Sequence, residues 1–419
     1  MDIKINKKKE LNKLFSNTFM LYILQISGYI FPLLTFPYLT RVLGTNNYGI
    51  TVLANAIMIY FQMFVDFGFL ISATKECSIN RDDKEKLGRI VGSIIQGKII
   101  LASIAFIVLI ALILNNESFK DKSLFIVLSY IPIIISIFIT DYLFRGLEIM
   151  SAITYRTIIS KTIYMILIFT LIKKPSDYIL IPIIASISNI FIAVWSWYYI
   201  LKKVKIIPRI ASLKEVYYAI KGSSLFFVSR IASTIYSASN TIILGNVYNN
   251  VELGLYGAAN TLISSARSLM SPIADSIYPY MVKNKNYKLV KNILLILTPI
   301  IFIGTGILYI FSDLVLLIIS GEEFIKAVPL FRAMLPLIII TLPTYLLGYP
   351  ILGSMGKMKE ANLSVVYGSI FHILGIIVLY FTSNINMIYI INLTCITETI
   401  ILIIRCYYVC KYRGNKNKE

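Results

Sequence analysis

The run IILASIAFIVLIALIL, residues 99–114, carries no charged residue and no proline or glycine. It is one of many such blocks. About 20 apolar residues cross a hydrocarbon core of roughly 30 Å as a helix. Only helices and closed barrels satisfy every backbone N–H and C=O in lipid. These blocks are too long and continuous for barrel strands, which alternate apolar and polar side chains. The chain is therefore all-α and polytopic. Its charged fraction, 15%, is well below the about 25% of soluble domains.

Twelve spans are expected, at about 14–38, 48–72, 90–114, 123–143, 153–172, 178–200, 222–246, 253–281, 292–319, 327–352, 362–382 and 387–410. Pro32 and Pro37 suggest a bend near the far end of the first. That span is too long for a signal h-region and lacks an A-x-A-like site after it. With the N-terminus in the cytoplasm, cytoplasmic segments hold 28 Lys and Arg, Arg156 at the rim of its span included, and exterior loops 6. The positive-inside rule then places both termini inside. The expected location is the cytoplasmic (inner) membrane, multi-pass. The net charge of +19 is accounted for by basic loops facing an anionic leaflet, so no nucleic-acid partner is invoked.

An internal repeat accompanies this layout. VLGTNNYGITVLANAI (42–57) resembles ILGNVYNNVELGLYGAANTLI (243–263). Tyr48-Gly49 and Tyr256-Gly257 lie 208 residues apart, half the chain. Two six-helix bundles, 1–210 and 211–419, around a central cavity are expected. Two halves with an even number of spans face the same way, as in parallel-repeat transporters. Between them lies the basic linker LKKVKIIPRIASLKEVYYAIKG (201–222), whose middle is expected to form a short surface helix.

Enzyme chemistry finds little footing. GSIIQGKI (92–99) spells G-x-x-x-x-G-K, but Ile99 stands where a phosphate loop needs Ser or Thr, and the stretch falls in a membrane helix. No cofactor is expected. One histidine, His372, and four cysteines without zinc spacing give no metal site. The exterior loops are short and their acids scattered, which disfavours a membrane-embedded polysaccharide polymerase.

Ionisable residues inside spans are the remaining candidates, because their burial in lipid is costly and often marks a pathway. Arg267, Glu398 and His372 lie deepest; Arg230 and Lys98 lie about two turns from the cytoplasmic end. Arg267, Arg230 and Lys98, with Arg41, are the candidate substrate-binding residues. Asp66, Glu398, His372 and Asp275 are candidates for ion coupling or gating. Glu398 is open to two roles, salt-bridge partner of Arg267 or coupling site; for His372 a satisfied polar contact is favoured over a proton relay. Asp141 and Arg145, four apart, are expected to pair. Lys161 and Arg405 are expected to snorkel to the headgroups. A surplus of intramembrane cations points to an anionic cargo.

VDFGFLISATKECSINRDDKEKLGRIVGSII (65–95) passes from one carboxylate in an apolar segment straight into mixed charge. With FPYLTRVLGTNNYG (36–49) it resembles the Wzx-type polysaccharide flippases of the multidrug/oligosaccharidyl-lipid/polysaccharide exporter superfamily. The most specific part is Asp-Phe-Gly-Phe, then Ser-Ala-Thr-Lys-Glu and Asn-Arg-Asp. LGSMGKMKEAN (352–362) and DSIYPYM (275–281) resemble the corresponding parts of the second half. The resemblance implies flipping of undecaprenyl-diphosphate-linked oligosaccharide, an O-antigen or capsule repeat unit. It also implies a cationic cavity and antiport of a coupling ion, proton or sodium. A polymerase of the same pathway is the candidate protein partner. The alternatives are such a polymerase itself or a drug exporter of the same superfamily.

Overall fold

A computed structural model describes residues 2–382 and 384–415; the side chains of 2–15, 229, 232, 233, 235–237 and 413–415 lie outside the description. Four of the basic residues counted toward a cytoplasmic N-terminus and the three Lys and Arg beyond Tyr412 fall with the undescribed side chains or residues, as does Lys13.

Helix dominates because these sequences leave the backbone no other way to be satisfied in lipid. In chain order the helices are α1 (Asp2–Asp66), α2 (Phe69–Ile79), α3 (Lys84–Asn115), α4 (Glu117–Lys120), α5 (Ser123–Ser136), α6 (Asp141–Gly146), α7 (Met150–Leu171) and α8 (Leu180–Tyr199). There follow α9 (Leu213–Val247), α10 (Asn250–Ser268), α11 (Ser271–Asn284), α12 (Tyr287–Ile310), α13 (Ser312–Ser320) and α14 (Val328–Met334). The last are α15 (Pro336–Leu346), α16 (Met358–Phe381) and α17 (Met387–Asn415). Among the described residues there is no strand.

Nine helical stretches, among the described residues, are long and apolar enough to cross a membrane. The first, Ser16–Ile79, contains two expected spans separated at Gly44, whose φ of 67° and ψ of 176° break α1. The chain therefore breaks at Gly44, and Pro32 and Pro37 lie inside the helix before it. The spans expected at 222–246 and 253–281 fall on α9 and α10–α11, which are richer in Ser, Thr and Asn than the nine. All twelve expected spans lie on helical segments, and the chain is a multi-pass helical membrane protein.

Internal packing groups the chain into two compact units. Unit 1 is Met1–Leu43 with Ala54–Ile231. In it α2 packs on α3 and α6, and α8 on α5 and α7. Phe69, Cys77, Val91, Ile94, Leu143 and Phe144 share its core. The expected surface helix of the linker does not form. Residues 205–212 are non-helical; Lys205 takes a left-handed φ of 60°, and Pro208 cannot donate a helical hydrogen bond.

Unit 2 is Gly44–Leu53 with Ala232–Glu419. In it α16 packs on α17, and α15 on α12 and α17. The ten residues of its first segment carry one copy of the sequence repeat, and they pack on the other. A Cβ on Gly49 would stand 1.8 Å from the Asn250 carbonyl oxygen, and one on Gly254 would stand 2.1 Å from that of Thr45. Glycine at these positions lets two helix backbones touch, the small-residue packing common in membranes. Tyr48 Oη and Thr261 Oγ1, 3.2 Å apart, close the contact. The two copies of the repeat thus pack on each other.

Candidate functional site

In unit 1 the Asp-Phe-Gly-Phe motif is a helix break. α1 stops at Asp66 because Phe67 (φ 43°) and Gly68 (φ 78°) are left-handed. A side chain at position 68 would also run into Phe226 Cβ, 2.7 Å from the site of a Cβ. Asp66 therefore sits at a helix C-terminus, where the macrodipole disfavours an anion. Lys98 of α3 compensates: its Nζ donates to Asp66 Oδ1 at 2.9 Å. Asp66 and Lys98 line a cavity of about 210 Å³ with Gln62, Ser136, Asp141 and Arg230. Arg230, on α9, is exposed.

Behind that cavity the expected Asp141–Arg145 pair is replaced by another. Asp141 accepts from Arg156, which also donates to Ser196 and lies over the Phe144 ring at 5.0 Å. The reason is the chain reversal after α6. Glu148 is left-handed (φ 59°), so α7 folds back and presents Arg156 to the start of α6. Helix-face spacing alone favoured Arg145. Arg156 escapes sequence reasoning because it lies at the rim of an expected span, where an arginine reads as a loop anchor. Its near-complete burial becomes visible only once α6, α7 and α8 are packed.

In unit 2 the second span also breaks, between Ser268 of α10 and Ser271 of α11. Arg267 stands in the last turn of α10, where a cation complements the helix dipole. Its Nε donates to Thr341 Oγ1 at 2.7 Å and its Nη2 to Glu398 Oε1 at 2.5 Å. Glu398 is thus ion-paired with Arg267, one of the two roles open to it. Arg267 and Glu398 line a cavity of about 630 Å³ with Asp275, Tyr278, Tyr345, Tyr349 and Arg405. Asp275 is exposed and accepts from Ser271 at 3.2 Å.

Arg405 does not snorkel. It is buried and donates to Ser364 Oγ (3.0 Å) and to the carbonyls of Thr344 (2.5 Å) and Ala361 (3.4 Å). Thr344 lies in the last turn of α15, just before the π-helical turn Leu347–Gly353. Lys161 is half-buried.

His372 is fully buried and held by neutral groups. Its Nε2 lies 2.9 Å from Asn240 Oδ1 and its Nδ1 lies 3.0 Å from Thr397 Oγ1. Asn240 Nδ2 donates to Thr394, which leaves its oxygen to accept from the imidazole. This is the satisfied polar contact favoured from sequence. Arg41 is exposed on unit 1 and does not line either cavity. The candidate residues thus fall into two ion-pair cavities, one per unit, with Arg41 and His372 outside both.

Among solved structures, the fold is similar to an inward-facing multidrug resistance MATE family transporter of the MOP superfamily. The TM-score is 0.68 at 10% identity, over 92% of this chain and 96% of that one. It is also similar to the lipid II flippase MurJ in an inward closed conformation, with a TM-score of 0.66 at 12% identity over 94% of this chain and 87% of that one. The fold is that of multi-pass helical transporters.

The sequence narrows this further. It is 31% identical, over 77% of this chain and 79% of the relative, to a putative O-antigen transporter of Escherichia coli (strain K12). It is 23% identical to a putative O-antigen transporter of Shigella dysenteriae, over 85% of this chain and 91% of that one. Residues 14–285 match the polysaccharide biosynthesis protein family, and the chain belongs to that family. It is a transporter and not an enzyme, so the polymerase reading is set aside.

Proposed function

We propose that the protein flips undecaprenyl-diphosphate-linked oligosaccharide, an O-antigen or capsule repeat unit, across the cytoplasmic membrane by ion-coupled alternating access. The observation that carries this reading is the unit 2 cavity. There a guanidinium edge, Arg267, faces a space bordered by three tyrosines. A planar guanidinium matches phosphate oxygens, and tyrosine rings offer both an apolar face and a hydroxyl to a sugar. The volume lies in the range of small-ligand sites, about 300–1,000 Å³. It suits a headgroup and an adjoining sugar better than a whole glycan. The names of the relatives agree with a surface-polysaccharide cargo.

In this reading Arg267, with Arg230, Lys98 and Arg41, engages the anionic cargo. Asp66, Glu398, His372 and Asp275 serve coupling or gating. The halves 1–210 and 211–419 rock about a central cavity, both termini are cytoplasmic, and a polymerase of the same pathway receives the product. The coupling ion is a proton or sodium.

The test is Arg267→Ala in cells that depend on this protein for surface polysaccharide. Polysaccharide should be lost while the protein still inserts, and lipid-linked repeat units should accumulate on the inner leaflet. Normal polysaccharide in this variant would refute the role of Arg267. Accumulation on the outer leaflet would place the defect after flipping. Reporter fusions with an exterior C-terminus would sink the topology. Collapsing the ion gradient in vesicles supplied with substrate should slow flipping, and undiminished flipping would remove the coupling.

A further inference from the structure

The linker is laid into a groove of α3. A Cβ on Gly88 would stand 2.3 Å from the Ile207 carbonyl oxygen, and one on Gly92 would stand 1.8 Å from that of Arg209. Only glycine at both positions lets an extended chain lie against the helix. Backbone and side-chain bonds fix the register: Arg209 N–H donates to the Gly88 carbonyl at 3.1 Å and Ala211 N–H to Gln96 Oε1 at 2.8 Å. Arg209 Nη1 meets Glu85 Oε1 at 2.5 Å. The near-match to a phosphate loop in 92–99 thus has a different use: Gly92 and Gln96 hold the linker.

Fixing the backbone also fixes which side chains face outward. Ile206 and Ala211 are buried against unit 1. Ile207, Ile210 and Leu213 point away, at 74%, 93% and 80% exposed. Three large aliphatic side chains this exposed on one short segment call for an apolar neighbour. Around them stand Lys202, Lys203, Lys205, Arg209 and Lys214, all exposed, and the stretch 201–214 contains no acid. Exposed Tyr217 and Tyr218 follow on the first turns of α9, a residue type enriched at the membrane–water boundary.

We propose that this strapped segment is a preformed docking surface for anionic phospholipid headgroups of the cytoplasmic leaflet. Ile207, Ile210 and Leu213 insert below the phosphates, and Lys202, Lys203, Lys205 and Lys214 pair with them. Charge complementarity selects this occupant, since juxtamembrane Lys and Arg are each attracted to an anionic leaflet and shallow apolar insertion adds to that attraction. The segment follows α8 and lies against the first turns of α3, both in stretches long and apolar enough to cross a membrane, so it is held at the membrane surface. Its cytoplasmic side rests on the topology proposed above, and it is independent of the cargo.

The test uses the full chain in nanodiscs of phosphatidylcholine, with and without phosphatidylglycerol. The native cysteines are replaced (Cys77→Ala, Cys395→Ser, Cys406→Ser, Cys410→Ser), and a nitroxide is attached at Ile210→Cys or, as the aqueous reference, at Arg81→Cys. Collision with a water-soluble nickel chelate should be roughly threefold lower at position 210 than at 81 in phosphatidylglycerol discs, as for a side chain inserted under the headgroups. Lys202→Gln with Lys203→Gln and Lys205→Gln should remove most of that protection. Gln96→Ala, which loosens the strap without a steric clash, should weaken it. Equal nickel access at 210 and 81 would overturn the proposal. Protection of the same size in discs without phosphatidylglycerol would overturn the anionic component. Protection that appears only when soluble proteins of the cell are added would assign the surface to a protein partner instead.

Discussion

The two ion-pair cavities are mirror images in what they present. In unit 1 the cation is the hidden member: the Lys98 side chain is 7% exposed and that of Asp66 25%. In unit 2 the acid is hidden: the Glu398 side chain is 6% exposed and that of Arg267 21%. Each pair follows the same local event, a helix break in the second span of its half. Yet the more exposed member of the pair is a carboxylate in unit 1 and a guanidinium in unit 2, while exposed Arg230 also lines the first cavity and exposed Asp275 the second. A carboxylate edge suits a proton or metal cation; a guanidinium edge suits a phosphate. The exposed edges of the two pairs would suit a division, a coupling ion at Asp66 and an anionic cargo at Arg267, and substitution can test it.

The sharpest way to break this assignment is at Arg267. Arg267→Ala leaves Glu398 buried without its partner, a loss of about 3–5 kcal/mol for a buried pair, and removes the proposed cargo contact. Arg267→Ala combined with Glu398→Ala should recover thermal stability in detergent and still fail to restore polysaccharide. If the double variant restores polysaccharide, the pair is structural and the comparison collapses. Next in size is Arg156. Truncating it in Arg156→Ala strips Asp141 and Ser196 of their donor, and a melting-temperature loss matching about 3 kcal/mol or more is expected. Arg145→Ala should cost far less, because Asp141 is not its partner.

A smaller effect separates the two cavities kinetically. Asp66→Asn keeps the shape and the hydrogen bond to Lys98 and removes the charge. It should lower export rate and flatten its dependence on the ion gradient while leaving cargo affinity near normal. Arg267→Lys should do the reverse, weakening affinity by about 1–2 kcal/mol through the lost planar fork. Identical profiles for the two variants would erase the division of labour.

The smallest effect lies outside both cavities, at Asp83. Its carboxylate caps α3, accepting from the Glu85 and Lys86 backbone N–H groups. The Lys86 N–H, foremost, holds it below the usual carboxylate range. A depressed folded value means the cap contributes above the unfolded carboxylate value, near 4, and is lost as pH falls through the folded one. Asp83→Ala should therefore lower the melting temperature slightly at neutral pH and make no difference in strong acid. An effect that grows on acidification would contradict this sign.

Much of this protein is decided by its sequence alone. Apolar runs of helical length leave an all-α membrane fold as the outcome, because lipid supplies no partner for an unpaired backbone. Intramembrane Arg267, Glu398, Lys98 and Asp66 are conspicuous for the same reason: each is costly there, so each signals a site. Their pairing was legible only in part. Arg267 with Glu398 could be posed as one option, since both lie deep in their spans. Asp141 with Arg156 could not, because helix spacing proposes Arg145 and only the reversal at Glu148 brings α7 across. Arg405 reads as an interfacial cation until the end of α15 and the start of α16 supply it with carbonyls. The repeat Tyr-Gly is visible in the chain, but its two copies meet only when helices cross at backbone distance. Solvent preference acts residue by residue and is written in composition and period; which partner satisfies a buried charge depends on where the chain turns back, and packing alone decides that.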